Sequence, residues 1–351
     1  MPTFTANQLK KLSFAIFRAA GATEEEAETV TEILVAANLR GVDSHGVIQI
    51  PDYIDAIKGR GRGLIEPGAP IKVVRDTPTT ALWDVNNGFG FVAGKKAMKT
   101  AIEKAKKYKI GMVATFNSKG GFDHIGALFY YARLAVEQDM IGIVTCTDYY
   151  PTAPYGGTER RLGINPIAIG IPTKRWKPIL LDMGTAMAAS GRLRLMHARG
   201  EKIPEGWLIA PDGRWVTDYL EYAAGKAAMV PFGEYKGYGL NVCIEAITGG
   251  FGAGCSLDKK GVGLGHTYTA IDPTGFCPID EFKARVDSLI DHLKTSKLRP
   301  GFKEILYPGE KETREEERRA REGIFIDPPF WERIVKVCEE LNVDWRKITE
   351  S

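Results

Sequence analysis

The sequence predicts an α+β fold in which a mixed, largely antiparallel sheet domain is inserted between helical N- and C-terminal segments. Three observations carry this expectation. Helical periodicity dominates residues 5–39 and returns from residue 279 onward. Between about 110 and 275, short apolar runs alternate with turns rich in Gly and Pro. The chain has 351 residues, 44% hydrophobic and 26% charged, enough to bury the cores of about two domains. The expected division is residues 1–110 with 276–351 as the helical unit, and 111–275 as the sheet unit.

Residues 5–20 carry a Leu/Phe/Ile stripe and read as the first helix. The second, about 24–39, opens at a capping box of Thr23 and Glu26. Then comes Arg40-Gly41-Val42-Asp43-Ser44-His45-Gly46, a short turn that holds one of five histidines. Imidazole titrates near neutral pH, so a histidine here can give and take protons. Ser44 or Asp43 can cap the following turn, and Gly46 relaxes the backbone beside the ring. Pro51 suits the start of a third helix. Residues 71–85 are β-rich, and a glycine-rich turn from Asn86 to Gly94 leads into a helix over Lys95 to Lys107.

Gly88, Gly90 and Gly94 in that turn approximate a dinucleotide-binding fingerprint. A Rossmann unit would place an acid about 20 residues on, at the next strand tip. That strand, Ile110 to Phe116, ends in Asn117-Ser118, so flexible turn glycines explain the pattern equally well. Apolar strands follow at 142–146, 166–172 and 178–183, with a helix expected to start at Gly126. Near the C-terminus, Ile279 to Ser296 is amphipathic, and the densely charged 310–322 reads as a helix with a solvated face. A final helix, Pro329 to Leu341, has Trp331, Ile334 and Val335 on one side.

Net charge is +3 without a basic tract, which argues against nucleic-acid partners. No run approaches the roughly 18 apolar residues of a membrane span, and the N-terminus reads as an amphipathic helix. The cysteines (146, 243, 255, 277, 338) are odd in number and dispersed, which points to buried thiols in a cytoplasmic protein. The histidines (45, 124, 197, 266, 292) are equally scattered, and nothing in their spacing predicts a metal.

Five further segments carry chemistry-bearing residues. His124 precedes the helix expected at Gly126, where backbone potential favours neutral imidazole. Asp182 and Thr185 lie where the strand Leu180-Leu181-Asp182-Met183-Gly184-Thr185-Ala186 gives way to a loop. Lys236 is set among glycines in Gly233-Glu234-Tyr235-Lys236-Gly237. Tyr307-Pro308-Gly309-Glu310 makes a turn before the charged helix, and Asp148 ends another strand, placed to orient an imidazole.

In this order the segments resemble the malate/L-lactate dehydrogenase family of the non-Rossmann type, over residues 5–345. Gly163-Ile164-Asn165-Pro166, Lys202-Ile203-Pro204-Glu205-Gly206-Trp207 and Gly265-His266 extend the match. The resemblance implies a homodimer whose NAD or NADP lies on the sheet domain, and a small 2-oxo or 2-hydroxy acid as substrate. It implies His45 as the acid or base, with His124 close to substrate and cofactor. Ser44, Gln49 and Tyr53 then fall on the substrate side. Asp182, Met183, Gly184, Thr185, Ala186, Lys236, Gly237, Gly309 and Glu310 fall on cofactor-contacting segments. Many members have Arg where this chain has Gln49, so carboxylate binding must come from elsewhere or the substrate differs. Arg192 or Arg194 could meet a 2′-phosphate of NADP. The expected reaction is reversible hydride transfer at C2 of the acid. A cyclic-imine reductase and an inactive dimeric binding protein of the same fold are the alternatives.

Overall fold

The computed structural model describes residues 2–60, 64–117, 125–253 and 264–350. Across its central sheet the strands run Lys72–Asp76, Thr80–Asp84, Ile110–Phe116, His266–Ile271, Ile141–Cys146, Ile167–Ile171 and Ile179–Met183. Thr80–Asp84 pairs with Ile110–Phe116 in parallel, and every other neighbouring pair is antiparallel. The α+β class and the mixed, largely antiparallel sheet are as expected. His266–Ile271 enters between two strands that are consecutive in sequence, so the centre of the sheet is closed late in the chain.

The first two strands precede residue 110, so the sheet crosses the expected division there. One buried cluster also joins Phe17, Ile33 and Phe91 with Val113, Val144 and Tyr268. A smaller cluster around Ile164, Leu193, Leu208 and Met229 underlies the loops that follow the last strand.

Local signals set several helix starts. The second helix, Glu24–Leu39, closes the anticipated capping box: Thr23 Oγ1 accepts from Glu26 N and Glu26 Oε2 from Thr23 N. The first, Ala6–Ala19, closes one between Thr5 and Gln8. Ile50–Ile57 has Pro51 at its start. The helix expected from Lys95 begins earlier, at Gly90, and runs to Tyr108. Gly94 thus lies inside it. A Cβ at Gly94 would sit 2.5 Å from Tyr268 Oη, so the missing side chain lets the helix lie close on the sheet.

The strand, helix and next strand do form a parallel βαβ unit. Its helix N-terminus is nonetheless roofed: Glu66 N donates to Asn87 O, and a Gly88 Cβ would meet Ala69 at 3.3 Å. Phe89 is buried edge-on to Phe17. The glycine run therefore serves packing, which sets aside its dinucleotide reading.

Other differences are local. The helix expected at Gly126 starts at Phe129 because Gly126 takes φ +75 and Asp182 Oδ2 accepts from Phe129 N. The last long helix, Pro328–Glu340, buries Ile334 of the expected side together with Phe330, Val337 and Cys338, while Trp331 packs half-buried against the core. A short helix, Trp345–Glu350, follows it. Cys146 and Cys338 are buried, but Cys243 is exposed and Cys277 half-buried; Cys255 lies outside the described residues. No described helix is long and apolar enough to cross a membrane.

Candidate active site

The histidine turn is built from three directions. Asn38, at the end of the second helix, donates from Nδ2 to Asp43 Oδ1 (2.7 Å) and accepts Val47 N at Oδ1 (2.8 Å). Gly46 is required here, since a Cβ would fall 2.2 Å from Asn38 Oδ1. Arg319, on the charged helix Glu310–Glu322, forks onto both Asp43 oxygens at 2.6 and 3.0 Å. Arg40 reaches Glu316 at 3.0 Å and Gly309 O at 3.3 Å. The charged helix therefore shows solvent only one face, and its other face fastens the turn. Ser44 and Asp43 do not cap it: Ser44 Oγ pairs with His45 Nδ1 at 2.8 Å, and Asn38 makes the cap.

Asn38, Arg40 and Arg319 were not singled out from sequence. Asn38 left a trace, as the polar residue that ends an otherwise apolar helix face. Arg319 left none, being 276 positions from Asp43.

His45 is half-buried, and burial, followed by the nearby charge of Arg194, pushes its pKa down to about 4. Its imidazole is therefore neutral at physiological pH. Gln49 Nε2 donates to Ser44 O at 2.6 Å, while Gln49 Oε1 is buried without a hydrogen bond. Tyr53 is enclosed between Phe17 and Phe91, and burial, then Asp52, raises its phenol well above the usual range.

The last strand of the sheet leads straight to this turn. Thr185 is buried, donates from N to Ile164 O, and accepts Asn241 Nδ2 at 2.7 Å. Thr185 O accepts from Phe232 N at 3.0 Å. A Cβ on Gly237 would sit 3.0 Å from that same Thr185 O, so the Lys236-Gly237 turn lies directly on the Thr185 backbone. Gly309 (φ +88) packs on Leu180, where a Cβ would be 2.8 Å from the carbonyl oxygen. Ala186 is buried and bridges to Pro231, while Met183 and Gly184 are half-buried.

Asp182 is accessible to solvent yet so closely surrounded that desolvation pushes its carboxyl up to about 6. The helix Ser190–Ala198 then begins against the histidine turn at Ser44: a Gly191 Cβ would lie 2.9 Å from Ser44 Cβ.

The remaining candidates divide. Lys236 is exposed, its ammonium 5.9 Å from the Tyr235 ring centroid. Arg192 is exposed over Trp207, whereas Arg194 turns inward to Asp52. Glu310 is spent internally: burial alone would raise its carboxyl, but Lys294 (2.8 Å) and Arg314 (2.6 Å) hold it below the usual range. Asp148 sits half-buried at the strand end. It accepts from Tyr149 N at 2.7 Å and its own N donates to Asn165 Oδ1, while burial pushes the carboxyl up to about 6. His124 lies outside the described residues.

Exposed Lys236 and Arg192 and the half-buried Met183-Gly184 backbone are cationic and backbone groups of the kind that hold phosphates.

Residues 4–335 match the family model described as malate/L-lactate dehydrogenase. The chain is 39% identical over 342 residues to L-sulfolactate dehydrogenase of Methanocaldococcus jannaschii, covering 95% of this chain and 96% of that protein. A solved structure of sulfolactate dehydrogenase from that organism superposes with a TM-score of 0.87, at 37% identity and 99% coverage of both chains. Malate dehydrogenase of Pyrococcus abyssi is 39% identical over 341 residues, covering 93% of this chain and 90% of that one. The crystal structure of malate dehydrogenase from Entamoeba histolytica gives a TM-score of 0.90 at 32% identity, over 97% of this chain and 98% of that one. The chain is thus an oxidoreductase, and it belongs to the malate/L-lactate dehydrogenase family.

Proposed function

We propose that this protein interconverts a small 2-hydroxy acid and its 2-oxo acid, with His45 as proton acceptor and donor. The observation that carries the reading is the contact at Gly191, which brings the loop after Asp182 against the turn that holds His45. NAD or NADP, when bound, supplies or removes the hydride.

The residues of the chain manage the proton and the position of the acid. Neutral His45 takes the hydroxyl proton during oxidation; in the reducing direction it must first be charged. Ser44 fixes the ring through Nδ1, and Asn38 and Arg319 fix Ser44's turn through Asp43. Buried Thr185, locked by Ile164 and Asn241, sets the backbone on which Lys236-Gly237 rests, and exposed Lys236 would supply a positive charge to the cofactor's phosphates. Exposed Arg192 would meet the 2′-phosphate if the cofactor is NADP. The protein works as a cytoplasmic homodimer, and exposed Leu289, Leu293, Leu298 and Phe302 supply apolar surface for the second copy.

The test is steady-state turnover with NADH and NADPH against 2-oxo acids and cyclic imines, with the mass measured by light scattering. A 2-oxo acid should be reduced, and His45→Ala should lose on the order of 10²- to 10⁴-fold in turnover while still binding cofactor. Near wild-type turnover in that variant refutes the role given to His45.

A further inference from the structure

We propose that Arg194 receives the substrate carboxylate attached to the reacting carbon, through the Nε and Nη2 edge of its guanidinium. This rests on the hydroxyacid dehydrogenase reading and names the group that would make its substrate site selective for acids.

The guanidinium is only half satisfied. Nη1 donates to Asp52 Oδ2 at 3.0 Å, and Asp52 gives its other oxygen to Arg333 Nη2 at 2.7 Å. Two cations therefore share one carboxylate, and the group carries surplus positive charge. Arg194 Nε and Nη2 are buried with no hydrogen-bond partner. Leaving two donors of a charged group unpaired is costly, and the Arg194 side chain keeps 25% of its surface exposed, so a ligand oxygen is the natural completion. The two open donors lie along one side of the fork, the side that a carboxylate meets with two parallel hydrogen bonds.

Position ties this edge to the chemistry. Arg194 follows Gly191 by three residues in the Ser190–Ala198 helix, so both lie on one face. Gly191 is the residue pressed against Ser44, beside His45. The Arg194 charge also acts on both His45 and the Tyr53 phenol. Gln49 Oε1, bare and buried on the same turn, adds a neutral acceptor for a substrate hydroxyl. A carboxylate on Arg194 would cancel the surplus charge beside His45, which makes the imidazole easier to protonate in the direction that needs an acid.

Arg194→Met and Arg194→Lys are to be compared with wild type in kinetics with pyruvate and oxaloacetate. Titration calorimetry with oxamate, a stable carboxylate analogue, runs alongside, with melting curves to confirm folding. Arg194→Met should raise KM for both acids on the order of 10- to 100-fold, abolish oxamate binding and leave cofactor affinity unchanged. Arg194→Lys keeps the charge and loses the fork, so it should recover part of the loss.

Unchanged pyruvate KM, with unchanged oxamate binding, overturns the proposal and would mean that a buried water satisfies these donors. A KM change confined to oxaloacetate also overturns it, because Arg194 would then read a distal acid. If wild type turns over no 2-oxo acid, the dehydrogenase reading fails, and the oxamate arm still decides whether Arg194 holds a carboxylate.

Discussion

At the scale of single residues, His45 shows how environment sets chemistry. Ordinary imidazole is half-charged near pH 6.5, but burial and Arg194 hold this one to about 4. Above pH 6.5 it is neutral in both folded and unfolded chains and has no effect on stability. As pH falls from 6.5 toward 4, the unfolded chain takes up a proton that the folded one refuses, so stability is lost across that window. In the oxidising direction, kcat/KM should keep its base down to about pH 4, and the His45 limb of the profile should lie there. A limb at the ordinary imidazole value would show that the ring is not shielded in this way. The sequence singled out His45, Thr185 and Gly237 because each stands in a short recognisable segment, and the roles given to them are those proposed above. Arg194 was legible only as a candidate for a 2′-phosphate; its inward turn to Asp52 depends on which face of its helix meets the core.

Among elements, the charged helix 310–322 departs furthest from its sequence. A run of alternating acids and bases suggests a solvated face, and Arg314 and Arg318 do make exposed local pairs. Arg319 instead crosses to Asp43 and Asn38 O, with its side chain only 14% exposed, which makes this a positioning contact rather than a surface one. Arg319→Ala should cost about 1.5–3 kcal/mol in denaturant unfolding, the worth of hydrogen bonds between charged groups. It should also lower kcat, because Ser44 and His45 lose their anchor. A variant as stable and active as wild type would show that Asn38 alone holds the turn. The glycine-rich segment 88–94 teaches the converse: its pattern fits both phosphate binding and close packing, and Tyr268 under Gly94 with the roof over Gly88 decides for packing.

For the whole molecule, one sheet and one main core join residues on both sides of the expected boundary at 110. A fragment of residues 111–275 would lose the 80–84 strand that pairs with 110–116 and the helix that covers it. Such a fragment should show no cooperative thermal transition; a sharp one by calorimetry would mean that the sheet unit folds alone. The sequence by itself determined the α+β class, most strands, the capped helix starts and the family. All of these are written in local periodicity, capping residues and short motifs. Only the tertiary structure decided that Arg319 braces Asp43, that Arg194 turns inward to Asp52, and that the Glu310 carboxylate pairs with Lys294 and Arg314. Those outcomes depend on contacts between residues far apart in the chain, and no spacing along the sequence encodes such a distance.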